Sequence, residues 1–130
     1  MGPQTALALS ALLAFEIKHF LCDFVLQTAY QVRTKGIYGH VGGILHAGIH
    51  IAGSIPVLIL LGCSPAAMAI LLAVEFVVHY HMDWTKANID RVMQWGFQSQ
   101  RFWMLFGFDQ LVHQLTYLAI VYAVITGAVR

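Results

Sequence analysis

Residues 65–84 read PAAMAILLAVEFVVHYHMDW. The run is long and apolar enough to cross a bilayer, whose hydrocarbon core takes about 20 residues of helix. It nevertheless carries Glu75, His79 and Asp83 at four-residue intervals. Residues i and i+4 share a helix face, so these three form one polar stripe on an otherwise apolar helix. Such a stripe inside a membrane is costly and marks a functional site by default. The helix is therefore predicted to belong to a bundle, with its stripe turned inward.

Three further stretches can span, roughly Thr5–Ala29, Val41–Leu61 and Phe102–Ala128. Composition agrees. Of the 130 residues 59% are hydrophobic and 10% charged, with a mean hydropathy of +0.72, whereas a soluble domain carries about 25% charged residues. A water-soluble globular protein and a disordered chain are both excluded. The net charge of +1 gives no electrostatic reason to expect a nucleic-acid partner. Cys22 and Cys63 form no CxxC pair and so specify neither a disulfide framework nor a zinc ribbon. The N-terminal apolar stretch has no basic flank and runs into Glu16, Lys18, His19 and Asp23, which favours a spanning helix over a signal peptide.

Turn chemistry separates the spans. Arg33-Thr34-Lys35-Gly36 follows the first, and Gly62-Cys63-Ser64-Pro65 precedes the third. In Thr85–Arg101, Ile89, Val92, Met93 and Phe97 recur at helical spacing, which predicts a short interfacial helix. The expected fold is all-α: one domain over residues 1–130, a four-transmembrane-helix bundle with a short interfacial helix between the third and fourth spans. Arg33, Lys35, Lys86, Arg91 and Arg101 fall on one side and Arg130 on the other. Excess Lys and Arg marks the cytoplasmic face, so both termini are expected outside the cytoplasm.

Each span carries one polar pair at four-residue spacing: His19/Asp23 (HFLCD), His46/His50 (HAGIH), His79/Asp83 (HYHMD) and Asp109/His113 (DQLVH). The first and third spans run toward the basic side and hold their pairs late. The second and fourth run away from it and hold theirs early. All four pairs are thus expected in one layer near the cytoplasmic face. Eight nitrogen and oxygen ligands in one layer can hold two divalent metal ions, as in di-metal sites built on facing helices. Imidazole with carboxylate suits zinc first, with iron or manganese as alternatives, and disfavours copper(I) and iron–sulfur clusters. Haem between paired histidines would leave the aspartates unexplained, and a purely structural polar network is the bland alternative. Glu75, and Glu16 three residues before His19, are candidates for a further ligand, a partner to a ligating histidine or a general base. His40, His81 and Cys22 fall outside the pairing. Lys18 either pairs with an acid or snorkels to the interface.

Taken together, HFLCDFVLQ, HAGIH, HYHMDWTK and DQLVHQ resemble a family of small bacterial and phage membrane proteins catalogued only as a domain of unknown function. The resemblance covers nearly the whole chain and implies a four-helix protein of a bacterial inner membrane. The HxxxD and HxxxH spacings are also similar to those of zinc-dependent phospholipase C and related nucleases, which leans the reading toward hydrolysis. The expectation is a metal-dependent hydrolase acting through a metal-activated water on a lipid-linked or amphiphilic phosphoester or ester. Lys35, Lys86 and Arg33 would sit near the head group, and a homodimer is compatible with the lipid-exposed outer surface. The alternatives are a di-iron redox enzyme and a metal-ion binding or transport protein. Against transport, the far half of the predicted bundle offers no polar trail.

Overall fold

The computed structural model describes residues 2–129 and contains no strand among them. Helix α1 runs over Pro3–Phe20 and continues as a π-helical segment, Leu21–Val25. A short α2 (Ala29–Thr34) follows, then α3 (Val41–Leu60), α4 (Pro65–Met93) and α5 (Gln100–Ile125). Four helical stretches, Pro3–Val25, Val41–Leu60, Pro65–Met93 and Gln100–Ile125, are long and apolar enough to cross a membrane. α1 packs on α3 and α5, and α4 also packs on α3 and α5. The four long helices therefore form a ring in chain order, with α1 diagonal to α4 and α3 diagonal to α5.

Local chemistry explains most boundaries. Thr28 closes a capping box with Gln31 at the start of α2. The Ser64 side chain accepts from the Ala67 N–H, and Pro65 occupies the first turn of α4, where its missing N–H costs nothing. Gly62 has φ +73°, a conformation that admits glycine without a Cβ penalty, and it reverses the chain between α3 and α4. Of the stretch Thr85–Arg101 expected to hold a short interfacial helix, Thr85–Met93 is helical but extends α4 rather than forming an element apart, and residues 94–99, Phe97 among them, lie outside any helix. No helix breaker stands between Trp84 and Met93, and Asn88 Nδ2 bonds both the Trp84 and Gly36 carbonyls at 2.7 and 2.9 Å. α4 stops where Gln94 turns left-handed (φ 49°). At 29 residues it is about 44 Å long, longer than a hydrocarbon core of about 30 Å.

The bundle interior divides in two. At one end, Ala11, Phe15, Val57, Leu58, Leu61, Leu71, Ile120 and Val121 make an apolar core. At the other, the buried residues are His19, His46, His50, His79, Asp83, Asp109 and His113. Large apolar side chains such as Leu13, Ile17, Phe20, Leu111, Leu115 and Tyr122 face outward. That pattern suits a lipid-contacting surface, because no hydrophobic drive favours hiding them from acyl chains.

Candidate metal centre

The four predicted pairs converge. His19 and Asp23 meet at 3.2 Å, His79 and Asp83 at 3.5 Å, and Asp109 and His113 at 3.3 Å, while the His46 and His50 rings lie 4.9 Å apart. The contact between His19 and Asp23 crosses from α-helix into the π-helical turn, which is closed by the Leu26 N–H on the Leu21 carbonyl at 2.8 Å. Single π-turns often occur at functional sites, and here the turn carries Asp23.

The pairs also join across helices. Asp23 Oδ1 lies 3.0 Å from His50 Nε2 and 3.2 Å from His46 Nε2, and Asp83 Oδ2 lies 3.0 Å from His46 Nε2. The His79 ring sits between those of His50 and His113, with centroids 3.9 and 4.2 Å away. Two groups have ligand atoms close enough to hold a metal ion: Asp23 with His46, His50 and His79, and His79 with Asp83 and His113. Both ring nitrogens of His79, Nε2 of His113, Oδ2 of Asp83 and Oδ1 of Asp109 are buried with no hydrogen-bond partner. Asp23 Oδ1 and His50 Nε2 are hydrogen-bonded at 3.0 Å, but buried polar atoms are normally paired, so the unpartnered ones call for something between them. Ligands about 2.1 Å from one metal ion stand roughly 3.0–3.4 Å apart for angles of 90–109°. The contacts of Asp23 with His46 and His50 have that spacing, and those of Asp83 with His79 and His113, at 3.5 and 3.9 Å, are wider. The residues fit a divalent cation, and the donor atoms are nitrogen and oxygen throughout. The Cys22 Sγ instead faces the Ile49 carbonyl at 3.9 Å.

Several expected site residues sit elsewhere. His19 joins neither group: its Nδ1 is 3.1 Å from the Tyr117 hydroxyl and its Nε2 is 3.0 Å from Gln110 Oε1. Asp109 borders the second group, with Oδ2 held by Lys86 Nζ at 3.0 Å and Gln110 Nε2 at 3.2 Å. Glu75 is buried but turned away from the ligand groups, its Oε1 taking Lys18 Nζ at 2.7 Å and Ser54 Oγ at 2.8 Å. That ion pair answers the open question about Lys18. Glu16 is exposed on the outer face, which corrects the expectation that it serves as a further ligand, a partner to a ligating histidine or a general base. Three residues rotate a helix by about 300°, and Phe15, Lys18 and His19 fill the inward directions. His40 caps α3 by accepting from the Gly42 N–H, and His81 is exposed beside Tyr38.

Residues not singled out in the sequence complete the surroundings. Gln27 Nε2 reaches the His46 ring nitrogens at 2.9 and 3.2 Å; the rim cation Lys35 places its Nζ 3.3 Å from Asp83 Oδ2. The i+4 step would have found several: Gln27 follows Asp23, Ser54 follows His50 and Tyr117 follows His113 at that spacing. Because Lys35 and Lys86 reach site carboxylates, the cluster lies at the end of the bundle that holds the basic connections. There Gln27, Val32, Lys35, Lys86, Phe102 and Phe106 border a cleft of about 350 Å³. A smaller hollow lined by Asp23, Asp109, Gln110, Lys35 and Lys86 adjoins it, sharing Gln27, Phe106 and both lysines.

Comparison with known proteins adds a family and nothing on chemistry. The family described as "Protein of unknown function (DUF3307)" matches residues 11–130. No curated protein and no solved structure matches the chain. The chain belongs to the DUF3307 family.

Proposed function

We propose that this DUF3307 protein is a membrane-embedded metal-dependent hydrolase whose substrate is an amphiphilic, lipid-linked phosphoester or ester. The observation that carries the reading is the convergence of two buried ligand groups in which His79, His113 and Asp83 hold polar atoms without a hydrogen bond, beside a cleft with cationic and aromatic walls. Nitrogen and oxygen donors without thiolate support zinc, with iron and manganese as the other choices. We propose up to two ions, sharing His79 between the ligand groups. When bound, such ions supply a water of lowered pKa and polarise the oxygen of the bond to be cleaved.

The chain's own residues supply the rest. Asp23, His46, His50, His79, Asp83 and His113 are the proposed ligands. Lys35 and Lys86 stand over the cleft beside Asp83 and Asp109, where they can exchange those contacts for an anionic head group. Lys86 Nζ also lies 4.5 Å from the Phe106 ring centroid, and Phe102 and Phe106 offer apolar wall to the chain that follows the head group. Asp109 is the proposed general base in place of Glu75, because Asp109 borders the hollow and lies outside both ligand groups, whereas Glu75 lines neither the hollow nor the cleft. Each carboxylate keeps one oxygen without a hydrogen bond.

Asp109→Asn is therefore expected to keep zinc while lowering turnover by about 10²–10⁴-fold, the usual loss with a general base. The test compares zinc-loaded and chelator-stripped protein in detergent on short-chain phospholipids and phosphate monoesters, with metal content measured in parallel. Cleavage that ignores the chelator would overturn the metal reading, and full activity in Asp109→Asn would remove Asp109 from the role of base. A coloured, iron-loaded protein consuming oxygen would turn the reading to redox chemistry.

We also propose that both termini lie outside the cytoplasm, with residues 33–40 and 85–101 inside. Arg33, Lys35, Lys86, Arg91 and Arg101 support this orientation. A reporter fused to the C-terminus should be active only when it matures outside the cytoplasm. A C-terminal reporter active in the cytoplasm would reverse the topology and move the site to the outer face.

A further inference from the structure

Beneath the ligand groups lies a second polar layer to which all four long helices contribute. Lys18 on α1, Ser54 on α3, Glu75 on α4 and Tyr117 on α5 are all buried. Ser54, Glu75 and Tyr117 each stand four residues from a histidine of the layer above, His50, His79 and His113 respectively. Space has been made for it, since a Cβ on Gly53 would lie 2.7 Å from Lys18 Cγ. Phe15 stacks on Tyr117 with centroids 4.8 Å apart and so fixes the phenol plane.

The bonds in this layer have a direction. An ammonium only donates, so Lys18 Nζ gives one proton to Glu75 Oε1 at 2.7 Å and another to the Tyr117 oxygen at 3.0 Å. The Tyr117 hydroxyl keeps its own proton to donate, and His19 Nδ1 lies 3.1 Å away to accept it. His19 Nδ1 is thereby an acceptor, and the neutral ring carries its hydrogen on Nε2. The opposite end demands the same tautomer. Gln110 donates through Nε2 to Asp109 Oδ2 at 3.2 Å, so its Oε1, 3.0 Å from His19 Nε2, has to accept. Flipping that amide would set its oxygen against a carboxylate and its N–H₂ against an N–H. Asp23 Oδ2, 3.2 Å from His19 Nε2, shares the same proton.

We infer that Lys18, Tyr117, His19 and Gln110 form a one-way hydrogen-bond relay across the bundle, in which His19 positions Asp23 and Asp109 instead of binding metal. It starts at a cation and ends on two carboxylates, so every bond is aligned with the field between its ends. Both His19 nitrogens have these partners, and its ring lies outside the ligand groups. His50 keeps Nδ1 3.5 Å from Lys18 Nζ, beyond the usual range for a hydrogen bond, and turns Nε2 to Asp23 Oδ1 at 3.0 Å, within the first ligand group. With Oδ2 of Asp109 held by Gln110 and Lys86, the relay leaves Oδ1 as the free oxygen. The inference rests on the proposed metal hydrolase only in the use made of Asp23 and Asp109; the tautomer of His19 stands independently of it.

Two variants and two readouts test it. In protein labelled with ¹⁵N-histidine, the His19 ring should show the Nε2–H tautomer, and Tyr117→Phe should shift the Nδ1 resonance by removing its donor while the proton stays on Nε2. The same variant should weaken zinc binding by about 10–100-fold at unchanged stoichiometry, the usual cost of losing a group that orients a ligand. His19→Gln, whose amide N–H₂ can replace the Nε2 donor, should retain the wild-type number of zinc ions, whereas His46→Gln should lose zinc. A His19→Gln protein that loses zinc as His46→Gln does would make His19 a ligand and overturn the relay with the metal centre intact. An Nδ1–H tautomer in the wild type, or an Nδ1 resonance unmoved by Tyr117→Phe, would also overturn it. Wild-type protein that retains no zinc would overturn the metal reading, with the ¹⁵N spectra still deciding the relay.

Discussion

Replacing His79 by alanine is expected to reduce zinc retention more than any other single substitution. His79 is the member common to both ligand groups. Without it the second group keeps only Asp83 and His113, too few to retain an ion against chelation, and the first is reduced to Asp23, His46 and His50. His113→Ala and Asp23→Ala each touch one group and should leave the other occupied. The variant also removes a ring flanked by His50 and His113, so those imidazoles face a void. Leaving a buried polar group unsatisfied costs about 1–3 kcal/mol, which adds to the stabilisation lost with the ion. Elemental analysis after zinc loading and gel filtration, alongside thermal unfolding in the same detergent, reads both effects. Wild-type zinc content in His79→Ala would show that the convergence of these rings is structural.

Lys18→Met is expected to produce the second large effect, this time on stability. Its Nζ is 2.7 Å from Glu75 Oε1, and the two side chains are 6% and 1% exposed, so solvent screening is negligible. Removing one partner of a buried pair leaves an uncompensated charge and costs about 3–5 kcal/mol, whereas replacing both with apolar groups is often neutral. Glu75→Leu added to Lys18→Met should therefore recover most of the loss, while Ser54 keeps its bond to the His50 carbonyl at 3.1 Å. Unfolding of the two single variants and the double variant in mixed micelles completes the cycle. A double variant no more stable than Lys18→Met would mean that the pair contributes through packing rather than charge. The double variant still contains Tyr117 and His19, but the Tyr117 hydroxyl no longer receives a proton from Lys18. Its zinc affinity therefore also reports how far the ammonium polarises the relay.

The carboxylates make a related point about what a pattern can carry. Glu75 lies on the stripe of His79 and Asp83, and its burial follows from that spacing. Its partner does not follow, because Lys18 is on the diagonal helix α1. Glu16 shows the opposite: it is three residues from His19, yet the helix rotation leaves it exposed. Lys35 and Lys86 were legible as rim cations. That they reach Asp83 and Asp109 depends on how the connections fold back over the end of the bundle.

What the amino-acid sequence determines by itself is set by the bilayer and by helix geometry. Apolar runs of spanning length have to be helical, because no other segment satisfies its own backbone in hydrocarbon. Polar residues that recur at a four-residue step in such runs share one face, and that step places His19/Asp23, His46/His50, His79/Asp83 and Asp109/His113 in one layer. Everything that depends on the relative rotation of different helices was decided by the tertiary structure. The ring order of the helices, the π-turn at Asp23, the division of the ligands between two groups sharing His79, and the pairing of Lys18 with Glu75 are of this kind. So is the separation of His19 from the other histidines. A period fixes which residues share a face of one helix; whether a nitrogen there meets a metal ion or a hydroxyl depends on Tyr117 and Gln110, almost a hundred residues away along the chain.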